Sequence, residues 1–209
     1  MIYLIGGSPR CGKTKVAKAL AQKTHIPWFP ADYLGSVVFQ YIPKDERDVK
    51  FPLSAIRDIN PSNDFRYSNY TPEQIVDFYY TQAESVWTGL EAFIKYAVHD
   101  EQNFILEGYQ ITPELLARLD ENVQKSVKAI FLYKDDKKDI EVGIKKNVGS
   151  GDWLIKNTKE ERTFSKVAEM ISMFGVRTVD ESKKYNYPCF NMDGDFKNKL
   201  DYAVNYLVP

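Results

Sequence analysis

The segment at residues 7–14 most constrains the fold of this 209-residue chain. It reads Gly-Ser-Pro-Arg-Cys-Gly-Lys-Thr, and it stands between an apolar run at residues 2–5 and a helical pattern at residues 12–23. Glycines let the backbone turn so that successive N–H groups face one point, and a helix start adds its own N–H groups and positive dipole end. The segment therefore predicts a strand, an anion-binding turn and a helix in direct succession.

These eight residues match the Walker A pattern, in which two glycines flank four residues and are followed by lysine and threonine. Average residue frequencies give such a match in well under about 1% of random chains of this length. Lys13 is suited to neutralise the β- and γ-phosphates of ATP, and the Thr14 hydroxyl is suited to Mg²⁺, which prefers oxygen ligands. The residues predicted to bind these cofactors are Gly7, Ser8, Pro9, Arg10, Cys11, Gly12, Lys13 and Thr14.

Short apolar runs alternate with longer helical patterns along the chain, which predicts an α/β fold with a mostly parallel sheet. Strands are predicted at residues 2–5, 26–29, 104–107, 127–133 and 187–191. Residues 34–70 are rich in proline, charge and tyrosine, and they predict an insertion of helix and loop. Thr71 with Gln74 and Thr158 with Glu161 form capping-box patterns, each of which predicts the start of a helix. The second of these helices is expected to divide at Gly175.

Size and charge limit the class of protein. The chain fits one domain, residues 1–209, and a net charge of −1 argues against a nucleic-acid partner. Cys11 and Cys189 lie far apart without metal-ligand spacing and are predicted to be free thiols. No apolar stretch approaches the roughly 18 residues of a membrane span, and the start of the chain lacks the basic leader of a signal peptide. We therefore expect a cytoplasmic protein, either a monomer or a homodimer, without a membrane partner.

GTPases, motor ATPases and small-molecule kinases share the Walker A pattern, so other residues must distinguish them. Residues 198–201 read Asn-Lys-Leu-Asp, which matches the guanine-reading motif of GTPases, but they follow an expected helix cap at Asp195 rather than a strand. Motor ATPases usually follow a buried strand with Asp-Glu, whereas this strand ends in Leu106-Glu107-Gly108. The pattern favours a small-molecule kinase.

The chain resembles the nucleoside monophosphate kinase-like group of P-loop enzymes, which includes adenylate, shikimate, gluconate and 2-phosphoglycerate kinase-like proteins. The resemblance rests on the loop, on Asp32 after the second strand, on Glu107-Gly108 with Thr112-Pro113 after the third, and on a polar region near 147–162. It implies a three-layer P-loop NTPase fold with a five-stranded parallel sheet. It also implies a helical acceptor-binding insertion at about 35–100, a lid at about 147–162, and transfer of the ATP γ-phosphoryl group to a small-molecule acceptor.

The resemblance also suggests roles for two carboxylates. In related kinases that act on hydroxyl groups, an aspartate at the position of Asp32 contacts the acceptor or Mg²⁺ and takes the proton. Asp32 therefore favours a hydroxyl acceptor over a nucleoside monophosphate, and its alternative role is an N-cap of the following helix. Glu107 is a candidate to organise Mg²⁺ through water or to contact the acceptor, and its alternative role is that of a buried structural carboxylate.

Cationic side chains are expected around both the acceptor and the γ-phosphate. Arg57 and Arg66 fall in the insertion and are the candidates for binding an anionic acceptor. The arginine pair that such kinases often carry at the start of the lid is absent here. Arg162 is our first candidate for that catalytic role because a guanidinium group can bind phosphate through two hydrogen bonds. The other basic residues of this region are Lys145, Lys146 and Lys156.

Two other functions stay open at this point. One is a nucleotide-responsive protein that binds ATP to set its conformation and phosphorylates no acceptor. The other is a kinase of the 5′-hydroxyl group of a polynucleotide, which would need a basic channel with aromatic side chains for base stacking.

Overall fold

A five-stranded, entirely parallel sheet lies at the centre of the computed structural model, which describes residues 1–146 and 153–208. The strands are β1 (Ile2–Gly7), β2 (Trp28–Pro30), β3 (Phe104–Glu107), β4 (Val127–Tyr133) and β5 (Cys189–Asn191). Their order across the sheet is β2-β3-β1-β4-β5. Because β1 is central and all its residues are buried, its continuous apolar run has no face in contact with water. The predicted α/β fold with five parallel strands is confirmed.

Helices cover both faces of this sheet. They are α1 (Lys13–Thr24), α2 (Ala31–Tyr41), α3 (Arg47–Lys50), α4 (Pro52–Ile59), α5 (Asn63–Asn69), α6 (Pro72–His99), α7 (Pro113–Leu116), α8 (Glu121–Gln124), α9 (Lys137–Lys146), α10 (Trp153–Lys156), α11 (Glu161–Lys184) and α12 (Phe196–Leu207). A 3-10 helix (Lys44–Glu46) precedes α3. None of the helices in the described part of the chain is long and apolar enough to cross a membrane.

Alternate residues of β1 point to opposite faces of the sheet and build separate clusters. Ile2 and Leu4 pack with residues of α6 and α7, including Leu90. Tyr3 and Ile5 pack with residues of α1 and α12. The sheet thus lies between two helical layers. Because all five strands are parallel, their carboxyl ends lie at one edge of the sheet.

Two strands start later than their sequence predicts. β2 begins at Trp28 instead of residue 26, and β5 begins at Cys189 instead of residue 187. In each case the strand follows a proline, Pro27 or Pro188, which has no N–H group to donate to the neighbouring strand. The carbonyl groups of both prolines still accept hydrogen bonds from the adjacent strand.

Residues 34–70, where composition predicts an insertion of helix and loop, are more helical than this composition suggests. Pro52 occupies the first turn of α4, and the Ser62 hydroxyl accepts hydrogen bonds from Asp64 N and Phe65 N at the start of α5. Proline and serine therefore begin helices here instead of interrupting them. The predicted capping box of Thr71 and Gln74 is present at the start of α6.

The predicted start of α11 is wrong. Its N-cap is Glu160, and the Thr158 hydroxyl donates instead to Leu154 O at 2.6 Å. The helix also continues through Gly175, which was expected to divide it. A Cβ at this glycine would lie 2.3 Å from Lys134 O, so the glycine allows α11 to pack closely against the chain after β4.

The insertion is joined to the start of α11 by polar contacts between distant parts of the chain. The carboxylate of Asp64 accepts hydrogen bonds from Lys159 N at 2.8 Å and Glu160 N at 3.2 Å. Burial acts to raise the pKa of Asp64, but its hydrogen bonds and the charge of Lys159 outweigh burial and lower it. The Asn63 side chain also donates to Thr158 Oγ1 at 3.1 Å. α5 therefore holds the two residues that directly precede α11.

Candidate phosphate-binding and acceptor sites

The turn between β1 and α1 requires glycine at two positions. Gly7 and Gly12 have φ angles of 118° and 99°, in the region that favours glycine. A Cβ at Gly7 would lie 1.9 Å from Leu132 O, and one at Gly12 would lie 2.5 Å from the Phe196 ring. Arg10 also adopts a positive φ of 61°. The turn therefore has a conformation and a packing that side chains at the two glycines would disrupt.

Lys13 begins α1 and is held against this turn. Its Nζ atom donates to Ser8 O at 2.7 Å and to Gly7 O at 3.1 Å, and its side chain is buried. The Ser8 hydroxyl is also buried and has no hydrogen-bond partner among the described residues. A buried ammonium group and a buried hydroxyl group thus lie within one short loop. Both are groups that the oxygen atoms of a phosphate could engage.

Thr14 links the loop to the end of β3. Its hydroxyl donates to Glu107 Oε1 at 2.9 Å. Burial raises the pKa of Glu107, the charge of Asp32 adds to the rise, and Lys13 and Thr14 oppose it. These adjacent oxygen atoms fit Mg²⁺, and no group of three or more His, Cys, Asp or Glu residues in the described ranges could hold a metal by itself. Oxygen atoms of a bound ligand would have to complete such a site.

Asp32 lies in the first turn of α2. The N-cap of this helix is Pro30, so the alternative role of Asp32 as the N-cap is wrong. Its Oδ1 atom accepts a hydrogen bond from Gln110 Nε2 at 2.7 Å. The negative charge of Asp32 also raises the pKa of Glu107, so the two carboxylates lie close enough to repel each other.

Two cavities flank these residues. The first has a volume of about 540 Å³, and its polar lining includes Asp32, Arg57, Arg66, Gln82, Tyr109 and Gln110. The second has a volume of about 640 Å³, and its lining includes Arg10, Gly12, Lys13, Thr14, Lys134, Lys146, Gly194 and Phe196. Glu107 bonds Thr14 beside the second cavity and interacts with Asp32 beside the first. The glycine turn between β1 and α1 therefore adjoins a separate pocket of the size expected for a small ligand.

The first cavity combines cationic, polar and apolar walls. Arg66 is 7% exposed, and Arg57 is an exposed residue of the wall. Burial raises the pKa of Tyr79 above its ordinary value, and the charge of Arg66 opposes this rise. Phe39 and Phe51 contribute apolar surface. These side chains suit a ligand with both an anionic group and hydrocarbon.

The structure brings most of the predicted site residues together, but not Arg162. The Arg162 side chain is 72% exposed, its Nε atom donates to Glu160, and it lines neither cavity. Lys145 is paired with Glu141 and Glu161, whereas Lys146 lines the second cavity. Residues 147–152, the first part of the predicted lid, lie outside the described residues. The role of Arg162 stays a prediction.

Sequence reasoning missed two glutamines of the first cavity. Gln82 accepts a hydrogen bond from Leu53 N at 2.8 Å and donates to Tyr109 Oη at 2.9 Å. Its polar side chain on the apolar face of α6 was a signal in the sequence. Gln110 follows Glu107 at the carboxyl end of β3, where ligand-binding residues of parallel sheets are found.

Comparisons with known proteins agree with this geometry at the level of fold. No protein-family model matches the chain. A curated relative, mevalonate-3-phosphate 5-kinase of Thermoplasma acidophilum, is 25% identical over 136 residues, which make up 65% of this chain and 62% of that protein. The chain therefore spans less than two thirds of that relative's length.

Two solved structures have the same fold. Shikimate kinase from Bacteroides thetaiotaomicron superposes with a TM-score of 0.51 and 14% identity, over 99% of this chain and 96% of that chain. A gluconokinase from Sinorhizobium meliloti superposes with a TM-score of 0.50 and 10% identity, over 97% of this chain and 89% of that chain. These similarities show that the chain shares the fold of these two kinases, as the sequence predicted.

The steric requirement at the turn is testable with paired glycine substitutions. We expect Gly7→Ala to lower the free energy of unfolding by at least about 2 kcal/mol, because the new Cβ meets the β4 backbone and the φ angle is unfavourable. Gly143→Ala is the control, since its Cβ would meet nothing within 4 Å and alanine favours the helix. Chemical denaturation measures both. Equal stability of the Gly7→Ala variant and the parent chain would contradict the described turn.

Proposed function

We propose that this chain is a kinase that transfers the γ-phosphoryl group of ATP to a hydroxyl group of a small molecule. One observation carries the proposal: the phosphate-binding turn, with Lys13 and Thr14 on its helix, adjoins a pocket that contains the Asp32 carboxylate. Kinases need such an arrangement because the two substrates must meet in line, and most of the catalysis comes from their positions and from charge neutralisation.

The turn would hold the polyphosphate of ATP. Backbone N–H groups at the start of α1 would donate to phosphate oxygens. Lys13 would exchange its bonds with Ser8 O and Gly7 O for bonds with the β- and γ-phosphates. Thr14 and Glu107 would hold Mg²⁺, which supplies positive charge to the phosphate oxygens during transfer. These roles use the oxygen and nitrogen atoms that are already adjacent in the loop.

Asp32 would act on the acceptor. Its carboxylate takes the proton of the acceptor hydroxyl group while that oxygen bonds to the γ-phosphorus and the bond from this phosphorus to the bridging oxygen of ADP breaks. ADP leaves, and the acceptor becomes a phosphate ester. The position of Asp32 in the pocket wall supports this role, as does its hydrogen bond from Gln110.

The acceptor would carry an anionic group as well as the hydroxyl group. Arg66 and Arg57 in the pocket wall support this, because guanidinium groups bind phosphate and carboxylate groups well. The name of the curated relative, mevalonate-3-phosphate 5-kinase, also describes an acceptor that already bears a phosphate. Phe39, Phe51 and Leu53 would contact the hydrocarbon part of such a molecule.

The other two functions make different demands on the pocket. An ATP-binding protein without kinase activity does not need a separate pocket lined by Asp32 next to its ATP site. A polynucleotide kinase needs a basic groove that tracks the nucleic-acid backbone, and a net charge of −1 gives no support for one. The predicted cytoplasmic location and the predicted monomeric or homodimeric state stay predictions.

Loss of the loop ammonium group tests the nucleotide site. We expect Lys13→Ala to abolish phosphoryl transfer, because the β- and γ-phosphates lose their buried cation. Lys23→Ala is the control, since Lys23 also lies on α1 but is exposed and bonds to Asn205. The measurement is transfer of label from [γ-³²P]ATP to a fractionated metabolite pool, extended to oligonucleotides. Failure of the parent chain to label any compound would contradict kinase activity and favour the ATP-binding protein.

A second substitution tests the proposed base. We expect Asp32→Asn to lower kcat by about 10² to 10⁴-fold while the Kd for ATP changes by less than about threefold, because the carboxylate acts on the acceptor. Asp48→Asn is the control, since Asp48 is exposed and lines neither cavity. Steady-state kinetics and calorimetry measure the two quantities. Equal losses of ATP binding and turnover would contradict the assigned role.

A further inference from the structure

Gln110 joins two parts of the acceptor site that are distant in sequence. It follows β3 in the chain, and its Nε2 atom donates to Asp32 Oδ1, 78 residues away, at 2.7 Å. Its side chain is buried, at 2% exposure, whereas Asp32 is exposed toward the cavity. A buried amide group therefore holds one oxygen of an exposed carboxylate.

The surroundings of Gln110 fix the direction of its amide group. The carbonyl oxygen packs against Gly108, where a Cβ would lie 2.4 Å from Gln110 Oε1 and 2.8 Å from Ala31 Cβ. A carboxylate accepts hydrogen bonds, so the NH₂ group of the amide must face Asp32. The missing side chain of Gly108 leaves room for the carbonyl oxygen of Gln110, while the NH₂ group faces Asp32.

This arrangement costs stability. Gln110 Oε1 is buried and has no hydrogen-bond partner in the described part of the chain. An unsatisfied buried oxygen lowers the stability of the fold, and an apolar side chain of the same length would avoid this cost. Gln82 is different, because both ends of its amide group are hydrogen-bonded. The polar contacts of the Gln110 side chain are with Asp32, at 2.7 Å, and with the neighbouring Tyr109, and only the contact with Asp32 reaches the proposed base.

We propose that Gln110 is a positioning residue that holds the carboxylate of Asp32 toward the acceptor hydroxyl group. This inference rests on the proposed function, in which Asp32 takes the acceptor proton. With Oδ1 fixed by Gln110, Oδ2 is the oxygen that receives the proton. Without the bond, the side chain of Asp32 rotates among staggered conformers, and only some of them direct the carboxylate at the acceptor.

The test is a double-mutant cycle of Gln110→Met and Asp32→Asn. Methionine matches the length of glutamine without an N–H group. We expect Gln110→Met to lower kcat by about 10- to 100-fold, with the KM for ATP and for the acceptor changed by less than about threefold. In the Asp32→Asn background, the same substitution should lower kcat by less than about twofold, because Gln110 acts through Asp32.

Gln124→Met is the matched control. Its amide group donates to Leu119 O at 2.7 Å and lies outside both cavities, so this substitution should leave kcat unchanged. Thermal unfolding of every variant distinguishes a loss of folding from a displaced Asp32 carboxylate. We expect the midpoint of unfolding of Gln110→Met to be no lower than that of the parent chain.

Three results would overturn the inference. The first is a kcat of the Gln110→Met variant equal to that of the parent chain. The second is a rise in the KM of this variant without a fall in its kcat. The third is an equal loss of kcat on Gln110→Met substitution whether residue 32 is aspartate or asparagine. Each of these leaves the proposed kinase activity intact. If the parent chain phosphorylates no acceptor, the proposed function fails and the role of Gln110 fails with it.

Discussion

The glycine turn between β1 and α1 is the constraint on which the rest of the site depends. Gly7 is in register with Leu132 of β4 and has no room for a side chain, so only glycine fits where the chain leaves β1 and turns. The turn starts α1 at a fixed point, with Lys13 bonded back to the loop and Thr14 directed at Glu107. A buried cation, a hydroxyl group and a carboxylate are thereby assembled at the carboxyl edge of the sheet.

Strand order brings the acceptor residues to the same edge. β3 lies between β1 and β2, and Glu107 is in register with Ile5 on one side and Pro30 on the other. Because α2 starts directly after Pro30, Asp32 lies near Glu107 and contributes to its raised pKa. The parallel topology therefore places the proposed nucleotide and acceptor groups side by side, although they come from three separate segments of the chain.

The sequence predicted the local features of the site and missed most of its long-range contacts. The turn, the carboxyl end of β3 at Glu107 and the cap at Thr71 follow from patterns within a few residues. The hydrogen bond of Gln110 to Asp32 spans 78 residues, and that of Asp64 to Lys159 spans 95, so no local pattern reveals them. The position of Arg162 was equally hidden, because its charge alone does not indicate whether its side chain faces a cavity or the solvent.

The most direct test of this account is a crystal structure of the chain with Mg²⁺ and a non-hydrolysable ATP analogue. We expect the β- and γ-phosphates to lie in the turn, with oxygen atoms within about 3.2 Å of backbone nitrogen atoms at the start of α1. Lys13 Nζ should leave Gly7 O and Ser8 O and bond to these phosphates. A polyphosphate bound elsewhere, with both lysine bonds to the loop intact, would contradict the account.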